Sequence, residues 1–123
     1  MGKKKILVVD DEENVRRLVR RILGKENVIL EAGDGEVTLD IARKQKPDLI
    51  LMDISMPKMD GYTACYKLKN NEVTKAIPVI MLTGIGFALN KKLADEVGAV
   101  GYITKPFNPQ ELLDMVSQFL PTR

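Results

Sequence analysis

Five short apolar runs constrain this chain more than any other feature: Ile6-Leu7-Val8-Val9, Val28-Ile29-Leu30, Leu49-Ile50-Leu51-Met52, Val79-Ile80-Met81-Leu82 and Val100-Gly101-Tyr102-Ile103. Each is too short for a helix that could bury an apolar stripe. Bounded by prolines, acids and turn residues such as Pro47 and Pro78, they read as buried strands. Between them the apolar period changes to that of a helix. Val15, Leu18, Val19, Ile22 and Leu23 form one stripe, with Arg16, Arg17, Arg20 and Arg21 opposite and Gly24 as a stop. Asp34-Gly35 leads into a helix carrying Val37, Ile41 and Ala42, which must end near Lys46-Pro47.

The pattern repeats to the end of the chain. Asp60 reads as the N-cap of a helix with Gly61, Ala64, Cys65 and Leu68 on its inner face. Leu89, Leu93 and Val97 line the next helix, closed by Gly98. Asn108-Pro109-Gln110-Glu111 combines an N-cap, a proline at the first helical position and an acid at the third. The last helix then buries Leu112, Leu113, Val116, Phe119 and Leu120 and ends at Pro121. Five strand–helix pairs in strict alternation predict an α/β fold, a doubly wound five-stranded parallel sheet with helices on both faces. Right-handed crossovers make the flavodoxin-like strand order 2-1-3-4-5 the expected one, with its switch point between the first and third strands.

A chain of 123 residues reads as a single domain, 1–123, with no linker, repeat or low-complexity stretch. Its formal charge of +2, from 19 basic and 17 acidic residues, demands neither nucleic acid nor an anionic membrane as a direct partner. The basic clusters Lys3-Lys4-Lys5 and Arg16, Arg17, Arg20 and Arg21 read as solvated faces. No apolar run approaches the roughly 20 residues of a membrane span, so membrane insertion is not expected. One cysteine, Cys65, rules out an internal disulfide and fits a reducing, cytoplasmic setting. The absence of histidine removes Ser-His, Cys-His and histidine-ligated zinc chemistry and any phosphohistidine on this chain.

Chemistry gathers at one end of the strands. Asp10 and Asp11 follow the first, Asp53 ends the third, Thr83 ends the fourth, and Lys105-Pro106 follows the fifth. Open parallel sheets bind ligands in that crevice. Three converging carboxylates repel one another unless a cation lies among them. Oxygen ligands without His or Cys favour a hard ion, and Mg²⁺ suits a partial protein shell shared with a phosphate. Asp53 is then a nucleophile for phosphorus, with Lys105 as a second cation and the Thr83 hydroxyl as a hydrogen-bond donor.

These residues resemble the receiver domain of two-component response regulators, over essentially the whole chain. The match is carried by Asp10-Asp11, the stretch from Asp53 through Pro57 to Asp60-Gly61, Thr83-Gly84, and Tyr102-Ile103-Thr104-Lys105-Pro106-Phe107. The resemblance implies that Asp53 accepts a phosphoryl group from a histidine kinase or phosphotransfer protein. It implies Mg²⁺ ligation by Asp11, Asp53 and the Ser55 backbone carbonyl, with Asp10 acting largely through water, and a cis Lys105-Pro106 peptide. It further implies a switch in which Thr83 moves toward the phosphoryl group, Tyr102 rotates after it, and a downstream effector protein reads the change. Such a domain is no enzyme beyond its own phosphorylation and slow dephosphorylation.

Val100 and Gly101 stand where receivers that dimerise for winged-helix outputs often carry acids, which weakens the expectation of that dimer. Ile85, two residues beyond Thr83, cannot orient a water and implies slow self-dephosphorylation. The family places kinase docking on the first helix and the loop of Pro106, Phe107 and Asn108. Asn14 is the stronger docking residue there, because Val15 and Leu18 belong to the stripe read as core. The chain ends at Arg123, reading as a stand-alone or excised receiver. Three rivals remain at this point: a flavodoxin-type carrier, which Asp10 to Glu13 would repel from its phosphate; an aspartyl-phosphate phosphatase, which lacks a second acid at Ser55; and a receiver fold that binds without phosphorylation.

Overall fold

The computed structural model describes residues 3–56, 58–84 and 88–120, with the backbone only for 88–91. Strands and helices alternate as β1 (Lys4–Val9), α1 (Glu13–Leu23), β2 (Asn27–Ala32), α2 (Gly35–Gln45), β3 (Leu49–Asp53), α3 (Gly61–Lys69), β4 (Val79–Thr83), α4 (Ala88–Glu96), β5 (Gly101–Thr104) and α5 (Pro109–Phe119). The sheet order is β2-β1-β3-β4-β5, parallel throughout, as the sequence predicts.

Strand alternation divides the core. Leu7, Val9, Ile50, Met52, Val79 and Met81 face Ala42 of α2, Ala64, Cys65 and Leu68 of α3, and Ala94 of α4. Their neighbours Ile6, Val8, Leu49, Leu51, Ile80, Leu82 and Ile103 face Val19 and Leu23 of α1 and Leu112 and Val116 of α5. Both faces of the three central strands are therefore dry, which is why those strands read as unbroken apolar runs.

The caps behave as their sequences require. Asp34 accepts from the Glu36 and Val37 amides, Asp60 from the Thr63 amide, and Asn108 and Glu111 form a reciprocal capping box. Gly98 ends α4 with φ +91°, the left-handed conformation glycine accepts most readily. Gly24 ends α1 as the sequence predicts, in the right-handed conformation, its amide donating to the Arg20 carbonyl.

Three stripe assignments need correction. Val37 and Leu113 are exposed, at 43% and 38%, while Thr38 is buried in place of Val37. Each helix is rolled so that one edge of its apolar stripe overhangs the sheet. Leu18 is half-buried and lines a surface groove, whereas Val15 packs on the core. Pro57, Ile85, Pro121 and the Leu89 side chain lie outside the described residues.

Candidate functional site

The sheet brings four of the predicted groups to one crevice. Pairing of Ile6 with Leu49 and of Val9 with Met52 sets β1 and β3 level, so Asp10 and Asp53 emerge side by side. Asp10, Asp11 and Asp53 each present a carboxylate oxygen, all within 4.8 Å of one another. Asp10 and Asp53 are buried; Asp11 is exposed. The Lys105 ammonium enters from beyond β5, 2.8 Å from Asp10 Oδ2 and 3.1 Å from Asp53 Oδ1.

Backbone contacts fix this arrangement. Gly61 donates its amide to the Ile54 carbonyl, and a Cβ at Gly61 would lie 2.2 Å from the Asp53 carbonyl oxygen. The start of α3 can therefore close on the end of β3 only because position 61 has no side chain. The Lys105 amide donates to the Thr83 carbonyl at 2.6 Å, tying the fifth strand's exit to the fourth's. The Lys105-Pro106 peptide is cis.

The charges are unbalanced. Burial, and then the Asp10 charge, push Asp53 up to about 6, although Lys105 pulls the other way. Burial also works against the Lys105 charge, but Asp10 and Asp53 outweigh it and hold the ammonium above the ordinary lysine value. Three carboxylates against one ammonium leave two negative charges. Asp10 Oδ2 is buried and, among the described residues, has no hydrogen bond beyond its ion pair with the Lys105 ammonium. A buried carboxylate oxygen balanced only by an ammonium it shares with Asp53, within a doubly negative all-oxygen cluster, fits a hard divalent cation such as Mg²⁺.

The remaining predicted residues take separate places. Thr83 is buried at the end of β4, and Ser55 is exposed two residues beyond β3. Tyr102 pairs in register with Met81 and packs against the α2–α3–α4 side of the core. Thr83, two residues after Met81, points to that same side by strand alternation. A groove of about 430 Å³ opens beside the crevice, lined by Asn14, Val15, Leu18, Gly84, Lys105, Pro106 and Phe107.

Two contributors escaped the sequence reading. Glu12 brings a further carboxylate to 3.7 Å from Lys105. Arg16, read as part of a solvated face, donates to the Asp10 carbonyl at 2.6 Å and to Glu31 of β2 at 3.0 Å. Arg20 joins it, donating to Glu31 at 2.5 Å. The spacing of Glu13 and Arg16 carried a local signal, but the reach to Glu31 depends on how α1 crosses β2.

Residues 6–117 match the response regulator receiver domain as a family. The chain belongs to that family. It is 41% identical over 118 residues to the alkaline phosphatase synthesis transcriptional regulatory protein PhoP of Bacillus subtilis, covering 95% of this chain and 48% of PhoP. It is 42% identical over 113 residues to the probable transcriptional regulator ycf27 of Porphyra purpurea, covering 89% and 44% of the two chains. The receiver thus spans just under half the length of these curated relatives. Protein PilG of Pseudomonas aeruginosa is 36% identical over 119 residues, with 96% and 88% covered. Among solved structures, the chemotaxis protein CheY4 of Vibrio cholerae superposes with a TM-score of 0.92 at 32% identity, covering 97% and 100%. The receiver domain of the Pseudomonas aeruginosa sensor histidine kinase PA1611, at TM-score 0.90 and 25% identity over 98% and 100%, holds a magnesium ion in its active-site cleft. This protein is a two-component receiver domain, a signalling module rather than a metabolic enzyme, and no helix among its described residues is long and apolar enough to cross a membrane.

Proposed function

We propose that this receiver is a phosphorylation-activated switch in which Asp53 takes a phosphoryl group from a histidine kinase or phosphotransfer protein. The observation that carries this reading is the convergence of Asp10, Asp11 and Asp53 within 4.8 Å, with Lys105 3.1 Å from Asp53. An Asp53 carboxylate oxygen attacks phosphorus, the bond to the donor's histidine nitrogen breaks, and an acyl phosphate remains on Asp53. With its pKa near 6, Asp53 is mainly ionised at pH 7 and needs no base. Asp11, Asp53 and the Ser55 carbonyl would hold Mg²⁺, with Asp10 acting largely through water, and the bound ion would supply neutralisation of charge on the phosphoryl oxygens. Lys105 moves its ammonium from carboxylate to phosphoryl oxygen, and the Thr83 hydroxyl bonds another.

The signal then follows from population shift. Thr83 and Tyr102 lie on the same side of adjacent strands, so an inward move of the threonine vacates space that the tyrosine can enter. A downstream effector protein binds the altered Tyr102 face. The apolar groove beside Lys105 suits the donor, with Leu18 available at its rim, and among the described residues nothing within 4 Å of where a Gly84 Cβ would sit obstructs the approach. The test is intact mass after incubation with acetyl phosphate, with and without Mg²⁺, for wild type and Asp53→Asn. A gain of one phosphoryl group only in wild type with Mg²⁺ is the expected result. An unmodified wild type of intact fold would instead leave a module that binds without phosphorylation.

A further inference from the structure

We infer that Arg16 is a positioning residue for the acidic pair, acting through the Asp10–Asp11 peptide; this rests on the Mg²⁺ reading above. The guanidinium reaches three separate elements. Nη1 donates to the Asp10 carbonyl at 2.6 Å, Nε to Glu31 Oε1 of β2 at 3.0 Å, and Nη2 to Glu13 Oε1 of α1 at 2.6 Å. A fork anchored on both sides holds its third contact in a fixed direction, which a lysine cannot reproduce.

Residue 10 is clamped from every side. Its amide donates to the Ala32 carbonyl at 3.1 Å, its Oδ1 accepts from the Glu12 amide at 2.9 Å, and its carbonyl accepts from Arg16. Asp11 is the opposite case. Its side chain is exposed, and among the described residues no hydrogen bond or ion pair holds its carboxylate. What aims Asp11 at the crevice is therefore its backbone, and the peptide plane leading into it is the one Arg16 grips. Releasing that carbonyl frees the plane to rotate and carries the Asp11 carboxylate away from Asp10 and Asp53.

Positioning and simple electrostatics predict opposite signs. Arg16 is a cation near an acidic cluster, so neutralising it should tighten Mg²⁺ binding if charge were its whole effect. If it positions the pair, neutralising it weakens binding. Titration with MgCl₂ by calorimetry, supported by amide chemical shifts, compares wild type, Arg16→Gln and Glu31→Gln. We expect Arg16→Gln to weaken Mg²⁺ about 10-fold, as losing a group that orients a metal ligand does, and Glu31→Gln, which keeps the grip on Asp10, less than about 2-fold. Equal or tighter binding by Arg16→Gln, or an equal loss in Glu31→Gln, overturns the inference. Should Arg16→Gln not fold, Arg16→Lys decides in its place: weaker binding supports positioning and wild-type binding overturns it. A wild type that binds no Mg²⁺, or an Asp11→Asn that binds as wild type does, refutes the underlying metal reading instead.

Discussion

Asp53 illustrates how a residue proposed to carry the chemistry can be unfavourable for the fold. Burial and the neighbouring Asp10 raise its pKa from 3.8 to about 6. A carboxyl raised in the folded state binds its proton more tightly there than when unfolded, so stability falls as pH rises between those two values. Below about pH 4 both states are protonated and the cost vanishes. Without Mg²⁺, Asp53→Asn should therefore stabilise the domain by about 1–3 kcal/mol at pH 7 and by nothing measurable near pH 3.5. Urea unfolding at the two pH values checks this, and an equal gain at both would remove the ionised carboxylate as its cause. Identity and strand position make Asp53 legible in the sequence. Its environment is not, because the raised pKa depends on how close Asp10 comes and how dry the crevice is.

At the scale of elements, local chemistry was readable and orientation was not. The Asn108–Glu111 box is complete, with the Glu111 amide donating to Asn108 at 2.8 Å and the Asn108 amide donating to Glu111 at 3.1 Å. Asn108→Ala leaves amides at the start of α5 unpaired and should lower stability by about 1 kcal/mol. A urea midpoint unchanged from wild type would show that water replaces the cap without loss. The exposed Val37 and Leu113 mark the limit of such reasoning. An apolar stripe says that a helix packs, but its width exceeds the strip of sheet beneath it. Roll about the helix axis decides which edge stays wet. Arg16 and Arg20 show the same limit in reverse, since a basic face looks solvated until β2 brings Glu31 beneath it.

For the whole molecule, the crevice links ion binding to folding. Asp53 comes from the end of β3, Asp10 and Asp11 from the loop between β1 and α1, and Lys105 from beyond β5, so the site does not exist in the unfolded chain. Mg²⁺ at ten times its dissociation constant should then add about 1.4 kcal/mol of stability. Thermal unfolding across a MgCl₂ series checks this: Tm should rise in wild type and stay flat in Asp11→Asn. A parallel rise in both would assign the effect to general screening by salt.

The sequence by itself determined the alternation of strands and helices, the parallel sheet and its order, the capping residues, and which side chains stand at the strand ends. Those features are short-range: apolar period, turn chemistry and handedness act within one strand–helix unit. Only the tertiary structure decided which carboxylate oxygen is left without a hydrogen bond, how far Lys105 balances the acids, where Arg16 points, and that Leu18 edges a groove instead of the core. Each depends on distances between groups 15 to 95 residues apart in the chain, set when β1, β2, β3 and β5 align and α1 rolls into place. No local pattern carries that information, because packing both faces of one sheet settles it all at once.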